Sequence, residues 1–283
     1  MEIKYLYTNA NSLSNKINEL SQMVIIEKPH FIIVTETCLE DKIPDSLINI
    51  DNYCIVRKDR AERRGGGICV YITKNCNDCP ISYEECETNN DGEIQLLLIK
   101  IKIDNDPLLL SCVYRPPDST INENDEMIST IKDKFSDVSC PILLFGDFNY
   151  PGISWKKDEW MGETKAESDF VNLLLEMGFS QHITENTRFR KGNLPSLLDL
   201  LITNEDDKIN DIKYLPPLGK SDHVVIKMIS QIIKTDTNSI QLIPKRNIWK
   251  ADFESMELEI HNRLSNNRSF NNPLISTSEK TNI

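Results

Sequence analysis

The 283-residue sequence has no apolar run approaching the roughly 18 to 20 residues needed to cross a bilayer. Its amino terminus, MEIKYLYTNANSL, lacks a basic segment followed by an apolar one, the pattern of a secretory leader. Both absences point to an intracellular protein with no membrane partner. Positive charge is also scarce, with 32 Lys and Arg against 44 Asp and Glu and a net charge of −12. That balance argues against a broad phosphate-binding surface. A local basic rim is still compatible with it, and the run RKDRAERR, Arg57 to Arg64, is either such a rim or a solvated loop.

Several sites of known mechanism are missing as well. Of the eight cysteines, Cys76 and Cys79 form a CNDC pair, but no second pair and no nearby histidine completes a zinc site, so the thiols are expected to be reduced core residues. GKS at Gly219 to Ser221 ends like a phosphate-binding loop, yet the position of its first glycine is Tyr214 and a strand follows. GGG at Gly65 to Gly67 lacks dinucleotide-fingerprint spacing, and there is neither a G-x-S-x-G elbow nor an H-E-x-x-H helix. No internal repeat is visible.

What is present is a strand-rich α/β pattern with 39% apolar residues, enough for a sizeable core. IKYLYTN predicts a strand, SNKINELSQMVIIEK a helix capped by Ser14 and stopped by Pro29, and FIIVTET a second strand ending near Glu36. This is a βαβ unit with parallel strands, so Asn9 and Glu36 should emerge at one sheet edge. NYCIVRKD, GGGICVYIT, IQLLLIKIKI and PLLLSCVYRPP follow as antiparallel strands. A helix over 124–135 leads into PILLFGDFN, then ESDFVNLLLEMGF reads as a helix, and SLLDLLIT and HVVIKMIS as the last strands. Two packed sheets flanked by helices are expected over residues 1–232. Residues 233–283 turn polar, with one helical candidate in ADFESMELEIHNRL, and are expected to form a connector or tail, partly disordered.

Polar residues collect where these apolar strands end: Asn9, Glu36, Tyr114, Asp147, Asn149, Asp222 and His223. Each alone has a structural reading as a turn acceptor, a packed phenol or an Asx turn. Together they match phosphodiester hydrolysis, which needs a divalent metal on hard oxygens, a base for water and donors for the developing charge. Glu36 suits the metal, His223 the base, Asp222 or another carboxylate the orientation of the imidazole, and Asn149 and Tyr114 the phosphoryl oxygens.

The ordered set TNANSL, VTETCL, GGGICVYI, CVYRPP, LLFGDFN, LLDLLIT and SDHVVI resembles the endonuclease/exonuclease/phosphatase superfamily. More closely it is similar to the endonuclease domain of non-LTR (LINE-type) retrotransposon polyproteins, from about Ile3 to Ile229. The resemblance implies a four-layered α/β sandwich (DNase I-like) built from two packed mixed β-sheets flanked by helices. It implies a Mg²⁺ site, with Mn²⁺ as an alternative ion, at Glu36 with Asn9 beside it. Tyr114 and Asn149 would contact the scissile phosphate, and Asp147 would position water or protonate the leaving oxygen. Asp199 and Asp222 would support the site, either one orienting His223. Ser221, Thr187 and Arg188 would lie on the substrate side, the last two in the loop ENTRFRKGN. The implied activity is nicking of DNA, in the nucleus, to leave a 3′-hydroxyl that primes reverse transcription by a domain of the same polyprotein. A phosphatase of the same superfamily acting on inositol phosphates or phospholipid head groups, and an inactive relic, are the alternatives. The tail would be the connector to the reverse transcriptase, making the chain a fragment or a truncated relic.

Overall fold

The computed structural model describes residues 2–40, 42–60, 65–74, 80–86, 93–156, 159–205 and 208–231, with positions 255 and 258. Met1–Gln241 forms one compact unit and Leu242–Ile283 a second. The expected tail, the CNDC pair and residues 61–64 of the basic run lie outside the described residues, except that positions 255 and 258 are helical.

The expected βαβ unit is present as β1 (Glu2–Asn9), α1 (Ile17–Glu27) and β2 (Phe31–Thr35). In β1 the side chains alternate, with Ile3, Tyr5 and Tyr7 entering the core between the sheets and Leu6 facing the α1 side. The helix starts later than expected, because Lys16 and not Ser14 is its N-cap, and no side chain caps it. It ends before Pro29, with Lys28 in the left-handed conformation as its C-cap.

The middle of the chain supplies β3 (Tyr53–Lys58), β4 (Ile68–Thr73), β5 (Ile81–Cys86), β6 (Gln95–Ile103) and β7 (Asp106–Tyr114). Then come α2 (Ile121–Phe135), begun by a Thr120–Glu123 capping box, and β8 (Ile142–Asp147). The small hairpin β9 (Ser154–Lys156) and β10 (Glu159–Met161) precedes α3 (Lys165–Glu176). The remaining strands are β11 (Ser180–Gln181), β12 (Asp199–Thr203), β13 (Ile209–Leu215) and β14 (Val225–Gln231). The hairpin, β5 and β13 escape the sequence pattern because their residues are mostly partly exposed and lack an apolar run.

Two six-stranded sheets result, ordered β13-β14-β1-β2-β4-β3 and β11-β12-β8-β7-β6-β5. Each contains one parallel pair, β1–β2 or β7–β8, joined through α1 or α2, and is otherwise antiparallel. The sheets pack face to face through Tyr5, Tyr7, Phe31, Ile99, Leu110, Phe145, Leu201 and Met228. The outer face of the first sheet packs with Leu20 and Val24 of α1, and that of the second with Met127, Ile131, Phe170 and Leu174 of α2 and α3. This is the expected four-layered sandwich.

Phe145 lies at the centre of the seam, its ring stacked on Tyr7 at 5.8 Å and tilted against Tyr5 at 6.1 Å. Phe145→Ala should therefore lower stability by about 3–5 kcal/mol, measured by urea unfolding. A loss under 1 kcal/mol would mean that the sheets close over the vacated space.

Candidate active site

Strand pairing assembles the site before any side chain is considered. Asp147 ends β8 with Tyr114 opposite it on β7 and Asp199 opposite it on β12. In the other sheet Asn9 ends β1 opposite Thr35, and Glu36 follows directly. The carboxyl ends of both parallel pairs therefore converge, as expected for Asn9 and Glu36, and the two sheets meet there through side chains.

The Asn9 Nδ2 donates to Asp147 Oδ2 across the seam at 2.8 Å, and the Asn149 backbone N–H donates to Asp147 Oδ1 at 3.2 Å. His223 Nδ1 meets Asp199 Oδ2 at 2.6 Å, and the Tyr7 hydroxyl donates to Asp199 Oδ1 at 2.8 Å. An ionised carboxylate only accepts, so Asp199 fixes the proton on Nδ1 and turns Nε2 away. Of the two carboxylates proposed to orient His223, Asp199 makes the bond. Asp222 Oδ1 is 4.0 Å from Nε2, and its Oδ2 accepts from Arg188 Nε at 3.0 Å.

Asp147 and Asp199 are fully buried and His223 nearly so. Burial, reinforced by Asp199 and Glu36, pushes the Asp147 carboxyl up to about 8 against the opposing effects of His223 and the Asn9 bond. Burial would push the His223 imidazole down. The charge and hydrogen bond of Asp199, followed by Asp147 and Asp222, reverse that and raise it to about 9. Burial also disfavours charge on Asp222, but the Arg188 bond and the His223 and Arg188 charges hold its carboxyl below the usual range. Burial, then Glu36 and Asp147, push the Tyr114 phenol up, so it stays a proton donor.

Glu36 and Asn149 both adopt left-handed backbone, at φ 47° and 49°. Such conformations cost of order 1–3 kcal/mol unless the surroundings enforce them. For Glu36 the enforcement comes from the glycine run: Thr37 and Cys38 N–H groups donate to Gly67 and Gly66 carbonyls. A Cβ on Gly67 would fall 2.2 Å from Thr37 Oγ1, so only glycine fits. For Asn149 it comes from Arg115, whose buried guanidinium donates to the Phe148 and Asn149 carbonyls at 3.3 and 3.0 Å, while Asn149 Nδ2 donates to the Arg115 carbonyl.

A cleft of about 480 Å³ opens over these groups, lined by Glu36, Tyr114, Asn149, Asp222 and His223 together with Asn11, Pro117 and the cations Arg188, Arg190 and Lys220. Arg57, from the run considered as a basic rim, instead pairs with Asp45 and Asp59. Arg190 and Lys220 were not singled out in sequence, although they lie within ENTRFRKGN and GKS.

Three expected assignments change. Thr187 is fully buried and its hydroxyl accepts from the Leu198 and Asp199 N–H groups, so its side chain supports Asp199 and is closed to substrate. Ser221 is buried, donating to the Asn9 carbonyl and accepting from the His223 N–H, which ties two site residues together. Asn9 is buried too, with its amide engaged by Asp147 and by the Asn11 N–H, so it orients Asp147. Among the described residues, the group of ligand-type atoms close enough for one ion is Asp147, Asp199 and His223, within 4.8 Å of one another. All three are buried, and His223 and Asp199 are hydrogen-bonded to each other while Asp147 accepts from Asn9 and Asn149; Glu36 lines the open cleft. The carboxylate of Glu36, a hard oxygen donor that faces the cleft, fits a divalent ion better than a softer metal.

Residues 108–227 match a family described as endonuclease-reverse transcriptase. The fold is similar to the endonuclease domain of TRAS1, a telomere-specific non-LTR retrotransposon, at 15% identity and a TM-score of 0.61, covering 82% of this chain and 99% of that one. It is also similar to an AP endonuclease from Archaeoglobus fulgidus (16% identity, TM-score 0.59, 81% and 100% covered). A 3′ phosphatase from Neisseria bound to a product DNA hairpin is a third such structure (14%, 0.58, 81% and 100%). No curated protein matches the sequence. The family match covers the last four of the seven motifs, CVYRPP, LLFGDFN, LLDLLIT and SDHVVI, and the fold is the one the resemblance implied.

In EDTA-treated protein, the His223 imidazole should titrate well above 6.5, towards about 9, and Asp199→Asn should lower it, read by NMR of the ring protons. Because the folded value is the higher one, this pairing contributes fully to stability below pH 6.5 and is lost as pH rises through about 9. A wild-type value at or below 6.5 would contradict the geometry.

Proposed function

We propose that this chain, which shares the fold of endonuclease/exonuclease/phosphatase proteins and carries the endonuclease–reverse transcriptase match over 108–227, is a Mg²⁺-dependent endonuclease that nicks DNA. The observation that carries the reading is one cleft in which Glu36, Tyr114, Asn149 and His223 face three cations, Arg188, Arg190 and Lys220, on a chain of net charge −12. Positive charge confined to the reacting centre suits a substrate held by a few phosphates.

Glu36 would hold the ion, which would offset phosphoryl charge and favour release of the His223 proton. His223 Nε2 would take a proton from the attacking water, with Asp199 stabilising the imidazolium. As the water oxygen bonds to phosphorus, the bond to the 3′ oxygen breaks, and Asp147, whose carboxyl is held up, would supply its proton. Tyr114 and Asn149 would donate to the phosphoryl oxygens. The products would be a 5′-phosphate and a 3′-hydroxyl, and the hydroxyl would prime synthesis by a reverse transcriptase of the same polyprotein, in the nucleus. The 188–196 segment, bridged from Arg188 to both Ser196 and His223 and carrying exposed Phe189 and Leu194, would meet DNA beside the cut.

Supercoiled plasmid should convert to open circle with Mg²⁺ and remain intact with EDTA, and the nicks should be extended directly by a DNA polymerase. His223→Ala should slow nicking by about 10²- to 10⁴-fold without unfolding the protein. Near-wild-type cleavage would eliminate His223 as the base. Glu36→Gln should raise the Mg²⁺ concentration needed for half-maximal rate, and an unchanged titration would remove it as a ligand. Folded protein that releases phosphate from inositol phosphates without nicking plasmid would favour the phosphatase reading.

A further inference from the structure

Beneath the cleft lies a charged group that the proposed chemistry does not use. Lys16 is buried, and its ammonium donates to three consecutive carbonyls: Ala10 and Asn11 at 2.6 Å each and Ser12 at 3.3 Å. Among the described residues it has no ion pair. Taking an ammonium out of water costs several kcal/mol unless its protons are well bonded. Here burial pushes its pKa below 10.5, opposed by the charges of Cys38, Glu19, Glu36 and Asp222.

The three carbonyls belong to a loop of costly backbone geometry. Asn11 and Ser12 are consecutive left-handed residues, at φ 42° and 77°, an arrangement that turns neighbouring carbonyls inward and is costly without glycine. The other side of this loop is bonded to the segment around Glu36: Ala10 N–H donates to Thr35, Ser12 N–H to Glu36 and Leu13 N–H to Thr37, each at 2.9 Å. Asn11 N–H also holds the Asn9 amide that orients Asp147. The stem of Lys16 supports a further loop. A Cβ on Gly219, at φ +58°, would sit 3.3 Å from Lys16 Cδ and Cε and 2.5 Å from Glu19 Oε2, so glycine at the head of Gly-Lys-Ser-Asp-His lets the His223 segment close on Lys16. The GKS triplet that resembles a phosphate loop is explained by this packing.

We propose that Lys16 is a positioning residue of the active site, an internal cation whose three carbonyl bonds set the Asn9–Ser12 loop and, through it, the placement of Glu36 and Asp147. The proposal rests on the reading of that site as a nuclease for its effect on rate, but its structural content stands independently. The positive charge is required as well as the bulk, because the carbonyls converge on an ammonium.

The test compares wild type, Lys16→Met and Lys16→Ala, each with its thermal unfolding recorded. Lys16→Met, similar in length but uncharged, should lower kcat for plasmid nicking at least tenfold with KM changed less than about threefold. Hydrogen exchange of the Ser12 and Leu13 amides should accelerate at least tenfold, while amides of β7 and β8 stay protected. Propylammonium should restore part of kcat and of the amide protection in Lys16→Ala but not in Lys16→Met, a rescue that lost packing alone would not give. Wild-type kcat in Lys16→Met, or unchanged Ser12 and Leu13 exchange, would overturn the proposal. If wild-type protein does not nick, the nuclease reading fails and the amide exchange still decides the role of Lys16. Should both variants fail to fold, NMR of the wild-type Lys16 ammonium decides: slowed proton exchange supports the carbonyl cradle, and solvent-like exchange overturns it.

Discussion

The carboxylate of Asp199 is where the two sheets are joined by polar bonds as well as apolar contact. It stands on β12 of one sheet and accepts from Tyr7, on β1 of the other, and from His223, two residues before β14 of that other sheet. A buried carboxylate is tolerated only when its oxygens are met by donors, and here Tyr7 meets Oδ1 and His223 meets Oδ2. Its removal would strand a phenol and an imidazole in the core, so the group that sets the tautomer of His223 also helps to fix the approach of the sheets.

Where backbone pattern decides, the sequence was informative. Ile3 to Glu36 shows as a βαβ unit because its strands are continuous apolar runs and its helix has an apolar stripe, and parallel pairing then places Asn9 and Glu36 at one edge. Polar residues at the ends of apolar strands marked Tyr114, Asp147, Asn149 and His223. Contacts between distant segments leave no such local trace. Thr187 and Arg188 are adjacent in one loop, yet only Arg188 lines the cleft, since Arg188 bridges to Ser196 and His223 while the Thr187 hydroxyl turns in to the start of β12. Asp199 and Asp222 are equally plausible partners for an imidazole until strand register places Asp199 beside Asp147.

Charge follows the same division between local and distant. The adjacent cations of the run at Arg57 were compatible with a basic rim or a solvated loop, and Arg57 is occupied by Asp45 and Asp59. The cations that line the cleft, Arg188, Arg190 and Lys220, come from two separated segments. A chain can therefore be acidic overall and still present a positive edge where an anion would lie. Arg115, for its part, is spent on the carbonyls of Phe148 and Asn149 and supports the backbone.

Each sheet repeats one plan: a parallel pair joined through a helix, flanked by antiparallel neighbours. Neither sheet alone holds the site, because Asn9 reaches Asp147 and Tyr7 reaches Asp199 only across the seam. Alignment of the two halves is thus itself a functional quantity. Hydrophobic rings such as Phe145 and Tyr7, which touch no substrate, act as a gauge block between the two halves of the site. A change in their thickness by a fraction of an ångström would be registered first as misfit among carboxylates, well before the molecule lost its shape.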